Sequence, residues 1–240
     1  MTEAATIPPI SEKIGPQPSQ FSWYPDLRGK TCVVVASGPS AKDTPLDILM
    51  NKPDIYVITI NESWKLAPWA NMLYGCDAQW WYKRRGQWVG FNKNGLKITQ
   101  DRTTGELLIN EDIKRVFAVR GSEHLLLGQP GYIGWGGNSG FQALNLAMHF
   151  EPAKIILVGY DMSLKNGEHW HGRHANGLHN PKPGHVERWR RVCDRAYFTL
   201  QRHGVIGVST AINGALNNWP KMTLEDALQC NSLPQPSPAS

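Results

Sequence analysis

The sequence predicts an α/β fold, an open and mostly parallel Rossmann-like sheet with helices on both faces, in a single domain with a small excursion. Short runs of β-branched and apolar residues recur along the chain, and helix-patterned runs alternate with them. The strand-like runs are largely apolar, as expected of strands buried on both faces, and several end in a polar or glycine-containing turn.

Taken in order, Val33 to Ala36 is the first strand, and it runs into Ser37-Gly38-Pro39-Ser40, a tight turn in which Ser40 is placed to cap the segment after it. Pro45 to Met50 reads as a short helix, Ile55 to Ile60 as a second strand ending in Asn61, and Asn71 to Gly75 as a third, followed by Asp77. The stretch from 78 to 112 is the excursion. Its glycine-, asparagine- and threonine-rich part contains Leu96-Lys97-Ile98 and Leu107-Leu108-Ile109, two candidate edge strands. Val116 to Val119 is expected to return to the main sheet. Gly137-Asn138-Ser139-Gly140 then opens a helix from Phe141 to Phe150, and Ile155 to Val158 is a buried strand leading to Gly159-Tyr160-Asp161. A late helix over Val186 to His203 carries Trp189, Val192, Cys193, Ala196, Tyr197 and Leu200 on its inner side. Val205 to Val208, Asn213-Gly214 and Leu224 to Leu228 close the domain, which spans 28–230. Residues 1–27 and 231–240, rich in proline and polar residues, are expected to be flexible arms, with Phe21, Trp23 and Tyr24 available to pin the first to the body.

With 240 residues, 41% of them hydrophobic, the chain can build a sizeable core. It contains no run of about 18 apolar residues and no charged-then-apolar leader pattern, so the expectation is a soluble protein without a membrane span, in the cytoplasm. The four cysteines follow no CxxC spacing and are expected to be reduced and structural. A formal net charge of +5 favours an anionic ligand or surface.

Two pairs of strand and turn point to chemistry. A glycine-framed helix start offers unpaired backbone N–H groups, and polar turns at the ends of parallel strands are where open α/β sheets bind ligands. Ser37, Gly38, Pro39, Ser40, Asn61, Asp77, Asn138, Ser139, Gly140, Tyr160 and Asp161 are therefore the candidate nucleotide-binding residues. Neither GxGxxG nor the GxxxxGK[ST] phosphate loop is present, so ordinary dinucleotide binding and P-loop chemistry find no support.

Five of the eight histidines fall at 169, 171, 174, 179 and 185. Imidazole serves as a metal ligand, as a general base near neutral pH, or as a hydrogen-bond donor to phosphate, and the spacing alone does not choose. His185, His171 and His174 are the catalytic candidates. A metal set would take Asp161, His169 and His171, with His174 or His179 alongside, but no HExxH or cysteine partner accompanies it and no metal is the favoured reading. Trp80, Trp81 and Trp88 flank Tyr82-Lys83-Arg84-Arg85, a pattern that suits either base stacking or a half-buried helix with a solvated basic side. Arg188, Arg191, Arg195 and Arg202 fall within an arc of about 60° at roughly 100° per residue, with Arg190 elsewhere, and could track phosphates of DNA.

In order along residues 30 to 228, Val33 to Asp43, the strand ending in Asn61, Asn138-Ser139-Gly140, Ile155 to Asp161 and Asn213-Gly214-Ala215-Leu216 resemble the bacterial sialyltransferases of glycosyltransferase family 42 and the wider group containing 6-hydroxymethylpterin diphosphokinase-like domains. The first resemblance implies metal-free transfer of a sugar from a nucleotide-sugar donor, CMP-linked, to an acceptor hydroxyl. Gly38, Ser40, Asn61, Ser139 and Gly140 would hold the donor, and His185 would be the general base. The family's pair of tyrosines that receives the leaving phosphate has no clear counterpart in this sequence, Tyr160 being a weak match. The second implies diphosphotransfer or phosphohydrolysis with magnesium or manganese, Asp77 and Asp161 being the first ligands. The His169-Trp170-His171-Gly172-Arg173-His174 segment, within a histidine-rich loop over 162–185, looks like that of relatives carried by bacteriophages, for which the host cytoplasm would be the location and a glycan or modified nucleic acid the acceptor. A third class, a noncatalytic nucleic-acid-binding or phage assembly protein, keeps the fold without the chemistry. Oligomeric state is not legible.

Overall fold

The computed structural model describes residues 21–104, 111–173 and 180–232. Seven strands form one parallel sheet: β1 (Thr31–Val35), β2 (Ile55–Ile60), β3 (Met72–Tyr74), β4 (Leu96–Thr99), β5 (Ile113–Arg115), β8 (Lys154–Val158) and β9 (Ile206–Ser209), in the order β5-β4-β3-β2-β1-β8-β9. The interior strand β1 aligns Val33 with Val57 on one side and with Ile156 on the other. Beyond β1 the chain steps outward through β2 to β5, then returns to the other side of β1 as β8. Strand order therefore reverses between β1 and β8, which is where open parallel sheets place a ligand crevice.

The alternation of side chains along each strand supplies two cores. Cys32, Val34, Ile58, Ile155 and Leu157 face α2 (Ser139–His149) and α3 (Pro183–Arg202). Val33, Val35, Val57, Ile156 and Val158 face 3-10 turns, α1 (Ala78–Lys83) and α4 (Leu224–Gln229). Helical elements thus cover both faces, as the apolar strands require.

Several boundaries differ from the sequence-based expectation. Leu96-Lys97-Ile98 lies inside the sheet, between β3 and β5. The main-sheet return is Ile113–Arg115, whereas β6 (Phe117–Val119) pairs with β7 (Tyr132–Gly134) in a separate two-stranded sheet. The switch happens at buried Val116, whose N–H bonds Thr99 O at 2.9 Å while that of Phe117 bonds Gly131 O at 2.7 Å. Residues 45–50 form a 3-10 turn over Leu46–Leu49, and α3 starts at Pro183. Leu107-Leu108-Ile109 lies outside the described residues. Phe21 is buried, and Tyr24 packs edge-on to Phe150 and accepts the Gly131 N–H at 3.1 Å, so residues 21–27 are fastened to the body.

All four cysteines are free thiols, three of them buried. Trp80, Trp81 and Trp88 are buried and pack on one another, with centroids 4.9 to 6.3 Å apart. Trp80 Nε1 donates to the buried Glu62 carboxylate at 3.2 Å, and Arg84 and Lys65 pair with the same group. These indoles are core, which removes them as a base-stacking platform. Among the described residues no helix is long and apolar enough to cross a membrane.

Burial holds the His149 imidazole below its ordinary 6.5, against the opposing pull of its 2.8 Å hydrogen bond to Tyr132 O. A depressed folded-state value contributes stability above pH 6.5 that is lost as pH falls through and below it. His149→Gln is therefore expected to flatten the decline of melting temperature between pH 7 and pH 5, measured by thermal unfolding; an unchanged profile would remove His149 from this role.

Candidate functional site

A cleft of about 730 Å³ opens along the carboxyl ends of the strands at the β1/β8 reversal. Ser37, Gly38, Pro39, Asn61, Asp77, Asn138, Ser139, Gly140, Tyr160, Asp161, His169 and His185 all line it. Widely separated stretches of chain thus meet on one concave surface, at the place where parallel sheets bind ligands.

The β1 side is built by close approach. Gly38 N–H bonds Gly159 O at 2.9 Å, and a Cβ on Gly38 would overlap both that carbonyl and the Asp161 carboxylate. Only glycine allows the two turns to touch. Asp161, 9% exposed, accepts the Ser40 hydroxyl at 2.8 Å and the Ser40 N–H at 3.3 Å. Burial raises the Asp161 carboxyl above the ordinary carboxylate range, and the Ser40 hydrogen bonds work against that rise. Ser40 does not line the cleft; it lies inside the 3-10 turn Pro39–Ala41, which Gly38 rather than Ser40 flanks, and its side chain fastens Asp161.

The α2 side is built by buried amides. Asn138 caps the helix, its Oδ1 accepting the Phe141 N–H at 2.8 Å. One turn on, Gln142 joins Tyr74 to the Trp135 carbonyl, and Asn145 accepts two backbone N–H groups, from Leu126 and Gly134, at 2.8 Å each. At positions i, i+4 and i+7 these three share one stripe and hold the incoming loop against the helix start. Reading 141–150 as a helix does not by itself reveal this; the recurrence of amides at helical spacing is the signal that could have found it. Among the described residues, the Ser139 and Gly140 N–H groups of the first turn have no hydrogen-bond acceptor.

Tyr160 is 1% exposed, and its hydroxyl donates to Gly140 O at 2.9 Å. Its ring stands 3.1 Å from where a Cβ of Gly140 would be, so this glycine serves packing of strand end against helix. Tyr160 offers its hydroxyl to the protein, not to the cleft. Ser139 Oγ donates to Cys76 Sγ at 2.9 Å, and burial pushes the Cys76 thiol well up, which keeps it neutral. Asp101, which no sequence motif singles out, accepts the Ala78 N–H at 3.2 Å and so caps α1, leaving Asp77 exposed on the cleft wall without a capping bond.

Asn61 adopts φ 49°, and its Oδ1 is buried with no hydrogen-bond partner among the described residues. A buried acceptor left unmatched is costly, and a ligand hydroxyl or amine would offset that cost. The histidine loop straps across the β1 turn: His169 Nδ1 meets Ser37 Oγ at 3.0 Å, and Trp170 N–H bonds Ser37 O at 2.9 Å. The rings of His169 and His171 stack at 5.1 Å, but His171 does not reach the cleft, and His174 and His179 lie outside the described residues. Among the described residues no three His, Cys, Asp or Glu side chains converge as a metal set.

From α3, His185 stands exposed on the cleft, stacked at 5.9 Å on Trp189, which is half-buried at the cleft and not in the core as its helical position suggested. Arg188 lines the same wall. The expected arginine stripe is broken there, because Arg188 and Arg191 both meet Glu123, at 2.8 and 3.6 Å.

No protein-family model matches the chain, and none of the curated proteins does. Among solved structures, it is similar to the sialyltransferase CstII from Campylobacter jejuni, solved with the substrate analogue cytidine-5'-monophosphate. The TM-score is 0.49 at 13% identity, over 81% of this chain and 85% of that one.

Gly38→Ala is expected to destabilise the protein by about 2 to 3 kcal/mol, because the added methyl must push apart two turns joined by backbone hydrogen bonds. Denaturant unfolding checks this, and a change under about 0.5 kcal/mol would mean the turns can part freely.

Proposed function

We propose that the protein is a glycosyltransferase that moves a sugar from a nucleotide-sugar donor, CMP-linked, to an acceptor hydroxyl on a glycan or modified nucleic acid. The observation that carries this reading is the convergence, on one cleft, of the Ser37-Gly38-Pro39 turn, the unmatched Asn61 acceptor, the α2 first turn and the exposed His185 imidazole. The resemblance of these same segments to family 42 supports it.

In this reading the donor's nucleoside lies along the β1 turn and Asn61, and its phosphate meets the Ser139 and Gly140 N–H groups at the positive end of the helix dipole. The acceptor oxygen attacks the anomeric carbon and gives its proton to His185. The bond from that carbon to the phosphate oxygen breaks, and the electron pair leaves with the phosphate. Stacking on Trp189 limits how the His185 ring can turn, which orients the base.

Calorimetry of metal-stripped protein against CMP, UDP, GDP and ATP, each with and without magnesium or manganese, tests the donor. Metal-free binding of CMP is expected; binding of ATP alone, and only with metal, would turn the reading toward diphosphotransfer. His185→Ala is expected to abolish transfer and leave CMP affinity unchanged, since the base acts on the acceptor. Asn61→Gly, which keeps the backbone relaxed at positive φ, should weaken CMP by about 1 to 3 kcal/mol; wild-type affinity in that variant would displace Asn61 from the nucleotide.

A further inference from the structure

Glycosyl transfer at this cleft leaves one charge without an answer. A phosphate that departs with the bonding pair gains negative charge, and the neutral donors around it, two backbone N–H groups, carry no net positive charge of their own. Tyr160, the weak match to the family's tyrosine pair, has its hydroxyl on Gly140 O. Among the described residues lining the cleft, Arg188 is the one Lys or Arg.

We propose that Arg188 is the substrate-phosphate anchor of this cleft, pairing its guanidinium with the phosphate at the α2 first turn. The proposal rests on the nucleotide reading and adds to it a cation from α3, outside the strand-end turns and the α2 first turn. Its geometry has three parts. The Nε of Arg188 is tethered to Glu123 Oε1 at 2.8 Å, so the far end of the guanidinium is aimed rather than free to swing. That far end lies over the turn preceding α2, because a Cβ built on Gly137 would stand 3.3 Å from both Cζ and Nη1 of Arg188. The side chain is 41% exposed, which leaves its outer N–H groups open to a ligand.

The charge also works out. Glu123 carries one negative charge and is shared by Arg188 and Arg191. The three groups together keep one positive charge, which suits a phosphodiester that carries one negative charge in the donor and gains a second on release. Arginine suits this position better than lysine, since its planar fork holds Glu123 with one edge and phosphate oxygens with the other.

The test is a calorimetric comparison of each nucleoside 5'-monophosphate, CMP, UMP, AMP and GMP, with its own nucleoside, on the full chain and on Arg188→Gln, Arg188→Lys and Glu123→Gln. For the nucleotide that binds, Arg188→Gln should weaken the monophosphate on the order of 10- to 100-fold and leave the nucleoside unchanged. Arg188→Lys should recover part of the loss, and Glu123→Gln should fall between wild type and Arg188→Gln. Equal weakening of nucleotide and nucleoside, or no weakening of either, would overturn the anchor while leaving the nucleotide reading intact. Failure of the wild type to bind any of the four monophosphates would overturn both. Thermal unfolding of Arg188→Lys, expected to match wild type, separates loss of the anchor from loss of the fold.

Discussion

The close approach of the chain at the ends of β1 and β8 is the constraint on which the site depends. Two parallel strands that lead to opposite directions of travel around the sheet would ordinarily part at once. Here the Gly38 N–H stays on the Gly159 carbonyl, and the absence of a Cβ on Gly38 lets the Asp161 carboxylate slide underneath to take the Ser40 turn. Later segments then fasten to this junction. Trp170 bonds Ser37 O, and Ala215 donates to Asp161 O at 2.7 Å. The reversal point is thereby closed at its base and open only above, which makes it a cleft and not a gap through the sheet.

The polar groups around the cleft divide by whether the protein has already matched them. Ser40, Tyr160, Ser139 Oγ and Asp101 spend their hydrogen bonds on neighbouring turns and hold geometry. Buried amides on α2 do the same for the loop before it. Among the described residues Asn61 Oδ1 and the Ser139 and Gly140 N–H groups of α2 are left unmatched, and His185 stands open to the cleft. Because unmatched buried groups cost free energy and matched ones rigidify, the first set is a frame and the second is what a ligand would meet.

Much of the architecture was legible because its signals are local. Short apolar runs such as Cys32 to Val35 or Ile155 to Val158, alternating with helix-patterned segments, are what a parallel sheet buried on both faces requires, and Ile55 to Ile60 was delimited residue for residue by its pattern. Where local signals were weak the boundaries slipped. Val116 to Val119 reads as one strand, yet Val116 and Phe117 hydrogen-bond to different sheets, and nothing in four apolar residues marks where a chain changes partners.

The sequence by itself determined β1, β2, β3, β8 and β9 to within a residue or two, the turns that follow them and the short set of polar residues in those turns, since β-branched patterning and glycine placement act over a few residues. Only the tertiary structure decided which of those residues face a ligand and which face each other. The bonds that make the choice join Ser37 to His169, 132 positions apart, and Ser40 to Asp161, 121 positions apart. Arg188 came to the cleft the same way: its helical position suggested a solvated stripe, and it is the packing of α3 beside Glu123 and Gly137 that turned it inward. Hydrogen bonding and charge pairing are set by proximity in space, and proximity in space is what a linear pattern does not carry.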